Sequence, residues 1–98
     1  MAVVVELLDG GNVVSGTETW WDEMEAVLEG RSDDFPVLSK VDPYGDVIIS
    51  AEQFDELIEE ARVLVSVPRA PIALIDRLRE LAALGLSFQQ PALRFRGD

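Results

Sequence analysis

Carboxylates are the most abundant side chains able to do chemistry in this 98-residue sequence, which contains no histidine and no cysteine. Without histidine, Ser-His-Asp and Cys-His catalytic arrangements are excluded, and so are nearly all structural zinc patterns. Without cysteine, the fold has no disulfide framework and no thiolate nucleophile. Hydroxyls, Lys40 and Tyr44 complete the set. We therefore expect a binding protein, not an enzyme, and we expect no cofactor.

Two arrangements of carboxylates are compatible with chemistry. Asp42 and Asp46 flank a Pro-Tyr-Gly turn and could bind a divalent cation, but the remaining ligand positions of a calcium loop are absent. Paired carboxylates can also hydrolyse glycosides, although no substrate motif accompanies them here. Turn formation explains Asp42, so we expect no metal site. A carboxylate- or metal-dependent enzyme remains a third hypothesis.

Negative charge is concentrated in the first part of the chain. Residues 1–60 carry sixteen acids and two bases, whereas residues 61–98 carry three acids and six arginines, and the net charge is −11. Such a chain repels nucleic acid phosphates and anionic membrane surfaces, so neither is an expected partner. It should attract basic protein surfaces instead. Solubility alone is the competing explanation of the charge.

The N-terminal segment lacks the features of an export signal, because it has no basic region and Glu6 interrupts its apolar run. No stretch approaches the roughly 18 consecutive apolar residues that a membrane-spanning helix needs. The length fits a single domain over residues 1–98. We expect a cytoplasmic protein.

The hydrophobic pattern predicts an α+β domain with a mainly antiparallel sheet and helices packed against it, in the order ββ-α-ββ-α-α-β. The predicted strands lie at 2–8, from Val13 onward, at 35–41, 46–49 and 92–96. Asp9–Asn12 and Asp42–Gly45 have the composition of turns, and Gly45 is expected to supply a left-handed corner.

Three helices are predicted from apolar residues at helical spacing. The first is capped by Thr19, turns Trp20 and Met24 toward the core, and ends at Gly30. The second opens on a Ser50–Gln53 capping box and continues to about Val65. The third begins at Pro71, buries Ile72, Ile75, Leu78, Leu81 and Ala82, and ends at Gly85.

The second predicted helix, from Ala51 to about Val65, is unusually acidic. Its carboxylates recur at i,i+4 spacing, where like charges destabilise an isolated helix by about 0.2–0.5 kcal/mol per pair. The first helix adds Glu18, Asp22, Glu25 and Glu29, whereas the third mixes its charges. A cationic partner would relieve this repulsion. We predict a partner-binding surface built from the helix carboxylates, the turn and aromatic anchors: Glu52, Asp55, Glu56, Glu59, Glu60, Asp42, Asp46, Trp21 and Tyr44.

The two tryptophans are expected to differ in burial. Adjacent helical residues point about 100° apart, so Trp20 and Trp21 cannot both lie in one narrow apolar stripe. One of them should lie at the edge of the core, where it could anchor a partner.

Three segments together resemble a known group of proteins. They are Phe35-Pro36-x-Leu38-x-x-Val41-Asp42-Pro43-Tyr44-Gly45-Asp46, the acidic helix, and the terminal Leu93-x-Phe95-x-Gly97-Asp98. This pattern resembles small acidic bacterial proteins of the immunity type, which protect a producer from its own toxins. A histidine often precedes the last strand in that group. Gln89 and Gln90 occupy the corresponding stretch here, so no role of that histidine carries over.

The resemblance and the acidic helices favour one function over its alternative. The first hypothesis is an immunity protein that inhibits a cognate basic toxin, such as a nuclease, by covering its surface. The alternative is a cytosolic interaction or regulatory module unrelated to toxins, either a monomer or a homodimer formed through an edge strand.

Overall fold

The computed structural model describes residues 2–97, which form a four-stranded antiparallel sheet with three helices packed against it. This confirms the α+β class predicted from the hydrophobic pattern. The strands are β1 (Ala2–Asp9), β2 (Asn12–Trp20), β3 (Asp46–Ser50) and β4 (Pro91–Gly97). The helices are α1 (Asp22–Leu28), α2 (Phe54–Leu64) and α3 (Ile72–Gly85), with short 3₁₀ segments at Leu38–Lys40 and Ala51–Gln53.

The sheet order is β2-β1-β4-β3, so β1 and β4 are central and β2 and β3 are the edges. The β1–β2 hairpin follows the predicted turn. Gly10 and Gly11 both have positive φ, at 58° and 88°, as a type I′ hairpin turn requires. A bulge interrupts the β1–β2 register opposite Leu7 and Leu8.

The core lies on one face of the sheet. Val3, Val5 and Leu7 alternate along β1 and are fully buried in a cluster with residues of all three helices. The register places Trp20 on the opposite face, which we call the open face, and leaves it 70% exposed. Ile48 of β3, on the same face, is 56% exposed.

The strand predicted at 35–41 is wrong. Its backbone instead makes local hydrogen bonds, from Ser39 N to Phe35 O and from Val41 N to Leu38 O, and forms the 3₁₀ segment Leu38–Lys40. Its remaining N–H donors are engaged by a glutamate, described below. The backbone N–H groups of this segment are therefore all engaged, and none is free to pair with a neighbouring strand. The predicted second hairpin therefore does not form. Its second strand, β3, is present and pairs with β4.

The predicted helix starts also differ from the structure. Thr19 is not a cap, because it continues β2 opposite Val3, and α1 begins at Asp22 without a side-chain cap. Ser50 makes no capping hydrogen bond, so the predicted capping box does not form. Ile72 is 54% exposed, contrary to prediction, although Ile75 and the other predicted core positions of α3 are buried. Within residues 2–97, no helix is long and apolar enough to cross a membrane.

Candidate acidic binding surface

The start of α2 presents the predicted carboxylates to solvent. Glu52 lies in the 3₁₀ segment before α2, and Asp55 and Glu56 lie in the first turn of the helix. All three are exposed. Their position at the helix N-terminus is favourable for negative charge, because the helix dipole is positive there.

Glu60 belongs to the same i,i+4 series but is buried, so the structure does not place it on the exposed surface where the sequence predicts it. It is only 6% exposed. Its Oε2 accepts a hydrogen bond from Val37 N and its Oε1 one from Leu38 N, each at 3.0 Å. Burial raises the pKa of the Glu60 carboxyl, and the two backbone hydrogen bonds oppose this only in part. Glu60 therefore holds the loop to α2.

Glu59 is exposed, but it is engaged within its own helix. Arg62 donates to it through Nε, at 3.0 Å to Oε2, and also through Nη2 to Oε1. This hydrogen bonding lowers the pKa of the Glu59 carboxyl. Because both side chains are exposed, a cationic partner could still compete for Glu59.

Trp21 is a core residue and does not lie at the surface where an aromatic anchor is predicted. It is 1% exposed and packs edge-to-face on Phe95, with ring centroids 5.9 Å apart. Trp20, predicted to face inward from a helix, is instead the last residue of β2 and points outward. The reason is that the period-2 alternation of β2 continues through Trp20 before the chain enters α1.

The turn before β3 is formed by side-chain and backbone hydrogen bonds. Asp42 Oδ1 accepts from Tyr44 N at 2.9 Å, and Asp42 O accepts from Gly45 N at 3.2 Å. Gly45 does not have the left-handed φ that was predicted. Tyr44 is 69% exposed, so it remains an aromatic side chain that a partner can reach.

The end of β4 fixes the position of this turn. Gly97 N donates to Gly45 O at 2.8 Å. A Cβ on Gly97 would lie 2.2 Å from Pro43 O, so only glycine allows this close approach.

Asp46 follows the turn as the first residue of β3 and is paired in register with Arg96 on the open face, away from the helices. Among residues 2–97, no group of three or more acidic side chains is placed to hold a metal ion.

A cleft beside α1 was not predicted. It has a volume of about 490 Å³ and lies between α1 and the segment that includes the 3₁₀ turn. Glu25 and Glu29, one helical turn apart, supply its carboxylates. Leu28 and Leu38 supply apolar wall. Ser39 also lines the cleft, and its hydroxyl oxygen is buried without a hydrogen-bond partner in the described part of the chain.

The segment 37–43 lies between the cleft and Glu60 of α2. One side of it lines the cleft, while Glu60 binds its backbone from α2. Glu56 lies one turn before Glu60 and is close enough to raise the pKa of the Glu60 carboxyl. We use the name acidic surface for the exposed carboxylates of α1, the turn and the start of α2: Glu25, Glu29, Asp42, Glu52, Asp55 and Glu56.

The arginines of α3 and β4 have acidic partners. Arg77 pairs with Glu80 at 3.6 Å and Arg79 with Asp76 at 3.1 Å, both within α3. Arg94 and Arg96 of β4 both contact Glu6 Oε1, at 2.9 and 2.8 Å. Four of the six arginines of residues 61–98 thus lie on α3 and β4, whereas Arg62 pairs with Glu59 on α2.

Comparison of the chain with models of protein families, with curated proteins and with solved structures finds no match. Function is therefore inferred from the chemistry of the acidic surface.

Proposed function

We propose that this protein is a non-enzymatic binding protein whose acidic surface covers a basic protein partner. The observation that carries the proposal is the cleft beside α1, which is lined by the carboxylates of Glu25 and Glu29 and by apolar side chains such as Leu28 and Leu38. A lysine or arginine side chain suits such a cleft, because its aliphatic stem can pack on apolar atoms while its charge meets the carboxylates.

The distribution of ion pairs supports the same conclusion. Acids on α3 are neutralised by neighbouring arginines, as is usual on a solvated helix face. The carboxylates at the start of α2 and along the cleft repel one another in the free protein. A cationic partner would relieve this repulsion, and the long-range field would also accelerate its association.

The resemblance to small acidic immunity-type proteins makes a toxin the partner we favour. In this proposal the protein acts in the cytoplasm and covers the phosphate-binding surface of a basic toxin, such as a nuclease. Tyr44, exposed at the turn, supplies an aromatic contact at the margin of the acidic surface.

The proposal predicts that a toxin is encoded beside this protein's reading frame, and the basic toxin domain found there is the probe of the experiment. Stopped-flow mixing should show association that slows as NaCl is increased, because salt screens the attraction. Protection of cells that produce the toxin domain should accompany complex formation. Salt-independent association would contradict the electrostatic mechanism, and absence of a complex with a basic toxin domain would overturn the proposal.

A matched pair of double variants locates the surface. Glu25→Gln with Glu29→Gln should weaken binding by about tenfold or more, because it removes both carboxylates of the cleft. Asp76→Asn with Glu80→Gln changes the net charge by the same amount on α3, and should weaken binding by no more than about threefold. Equal effects of the two variants would show that only total charge matters.

A further inference from the structure

A second groove lies on the other flank of α1, between that helix and the chain that joins α2 to α3. Its volume is about 470 Å³, and it shares no residue with the cleft beside α1. The walls are mainly apolar and are formed by Ala26, Val27, Val67 and Pro68. The charged side chains that line the groove are Glu23, Arg31 and Arg69.

Arg31 and Arg69 differ from the other arginines in having no carboxylate partner. Within residues 2–97, the other five arginines each have a carboxylate oxygen within 4.0 Å of a guanidinium nitrogen, whereas Arg31 and Arg69 have none. Carboxylates are abundant, since the chain has nineteen acidic residues and eight basic ones. Both arginines without an ion pair line the same groove, and Glu23 at its margin pairs with neither of them.

The guanidinium group of Arg31 is held at the end of α1. Its Nη1 donates to Val27 O at 3.0 Å, and this is the side-chain hydrogen bond that Arg31 makes within residues 2–97. Arginine has five N–H donors, so most of them remain available to a ligand. Arg31 is also half-buried, so part of the cost of ordering a long side chain on binding is removed in advance.

Arg69 occupies a backbone position that disfavours arginine. Ala70 N donates to Val67 O at 3.1 Å and closes a turn with Pro68 and Arg69 at its centre. The φ of Arg69 is 68°, and no other non-glycine residue in the described part of the chain has a positive φ. Proline followed by a residue of positive φ is the arrangement of a type II turn, where glycine or asparagine is usual. Strained backbone of this kind is found preferentially at functional sites.

We propose that this groove, which we call the anion groove, binds a carboxylate carried on a small apolar group. Arg31 and Arg69 donate to the carboxylate, whose planar geometry matches the fork of a guanidinium group. The apolar group packs on Val27, Val67 and Pro68. A carboxylate suits the site better than phosphate, because the net charge of −11 repels each further negative charge on the ligand.

The anion groove and the acidic surface take ligands of opposite charge. The acidic surface attracts cations of a partner protein, whereas the anion groove offers two cations to a small anion. No carboxylate of the acidic surface lines the anion groove. Failure of either proposal therefore leaves the other intact.

The first test is an NMR titration of the full chain with hexanoate at constant ionic strength. The backbone amide signals of Val27, Arg31 and Arg69 should shift and saturate, with a dissociation constant on the order of 1 mM. Acetate, which lacks the apolar group, should bind at least about tenfold more weakly. Hexanamide has the same size without the charge and should give no saturating shift.

Three outcomes of this titration would overturn the proposal. The first is the absence of a saturating shift with hexanoate. The second is equal binding of hexanamide, because the two arginines would then have no role. The third is equal binding of inorganic phosphate, because the groove would then take any anion without regard to its apolar walls.

The second test separates binding by Arg69 from a structural role. Arg69→Gly should raise the dissociation constant of hexanoate about tenfold or more, because one of two guanidinium groups is lost. Glycine is favoured at this turn position, so the urea midpoint should stay the same or rise. Unchanged affinity in this variant would overturn the proposal.

The matched control is Arg79→Gln on α3, which removes the same charge from a residue outside the anion groove. It should change the dissociation constant by less than about twofold. Arg31→Gln should weaken binding as Arg69→Gly does. Equal losses in all three variants would show that only net charge matters and would overturn the site.

Discussion

Two buried carboxylates, one on the open face of the sheet and one on helix α2, are stabilised in different ways. Glu6 of β1 is 8% exposed and contacts the guanidinium groups of Arg94 and Arg96. Glu60 of α2 is 6% exposed and accepts its two hydrogen bonds from the backbone of Val37 and Leu38. Both satisfy the rule that a buried charge needs partners.

The difference explains where the molecule keeps its negative charge. Guanidinium partners neutralise the carboxylate on the sheet, so the open face carries cationic groups of its own. Backbone donors satisfy the hydrogen bonds of Glu60 without adding a formal charge, and Lys40 is the cation whose charge lowers the pKa of this carboxyl.

Replacement of Glu60 should give the largest change in stability. Glu60→Ala leaves the N–H groups of Val37 and Leu38 buried without acceptors, which costs about 2–4 kcal/mol in total. Urea unfolding at neutral pH measures the change. Glu56→Ala, one turn away and exposed, is the matched control and should change the unfolding free energy by less than about 0.5 kcal/mol. If both variants unfold alike, Glu60 does not hold the loop.

Replacement of Glu6 should have a smaller effect. Glu6→Gln leaves two arginines without their common anion, but the side chains of Arg94 and Arg96 are 32% and 47% exposed and recover hydration. We expect a loss of about 1–2 kcal/mol, less than for a fully buried pair. The measurement is urea unfolding in low and high NaCl. A loss larger than that of Glu60→Ala would reverse the comparison between the two carboxylates.

The sequence was sufficient where structure is determined by neighbouring residues. The short segment 2–8, rich in β-branched residues, and the Asp9–Asn12 turn predict the first hairpin, because strand propensity and turn type are local properties. The last strand and, apart from Ile72, the core side of α3 are predicted for the same reason, since each follows one uninterrupted period.

The errors arise where distant residues decide the structure. The segment 35–41 has the composition of a strand, but its backbone is bound by Glu60, more than twenty residues later in the chain. Trp20 and Trp21 lie where the two-residue period of strand β2 changes to the 3.6-residue period of helix α1. Neither period alone therefore predicts which of the two side chains is buried. The sequence shows that Glu25 and Glu29 are spaced one helical turn apart. The wall of the cleft opposite them forms only because the segment predicted as a strand contains a 3₁₀ turn.

Ionisation of Glu60 gives the smallest of the three effects and tests the cause of its perturbed pKa. Burial raises the pKa of this carboxyl above its ordinary value of 4.5, so the folded state binds the proton more tightly than the unfolded state. Its contribution to stability is therefore fully present below 4.5 and is lost as the pH rises through the raised pKa. Glu60→Gln lacks the titrating group. The unfolding free energy of the parent minus that of Glu60→Gln, measured in urea from about pH 4 to about pH 7.5, should fall with increasing pH. A rise over this range would mean that the two backbone N–H groups favour the carboxylate more than burial penalises it.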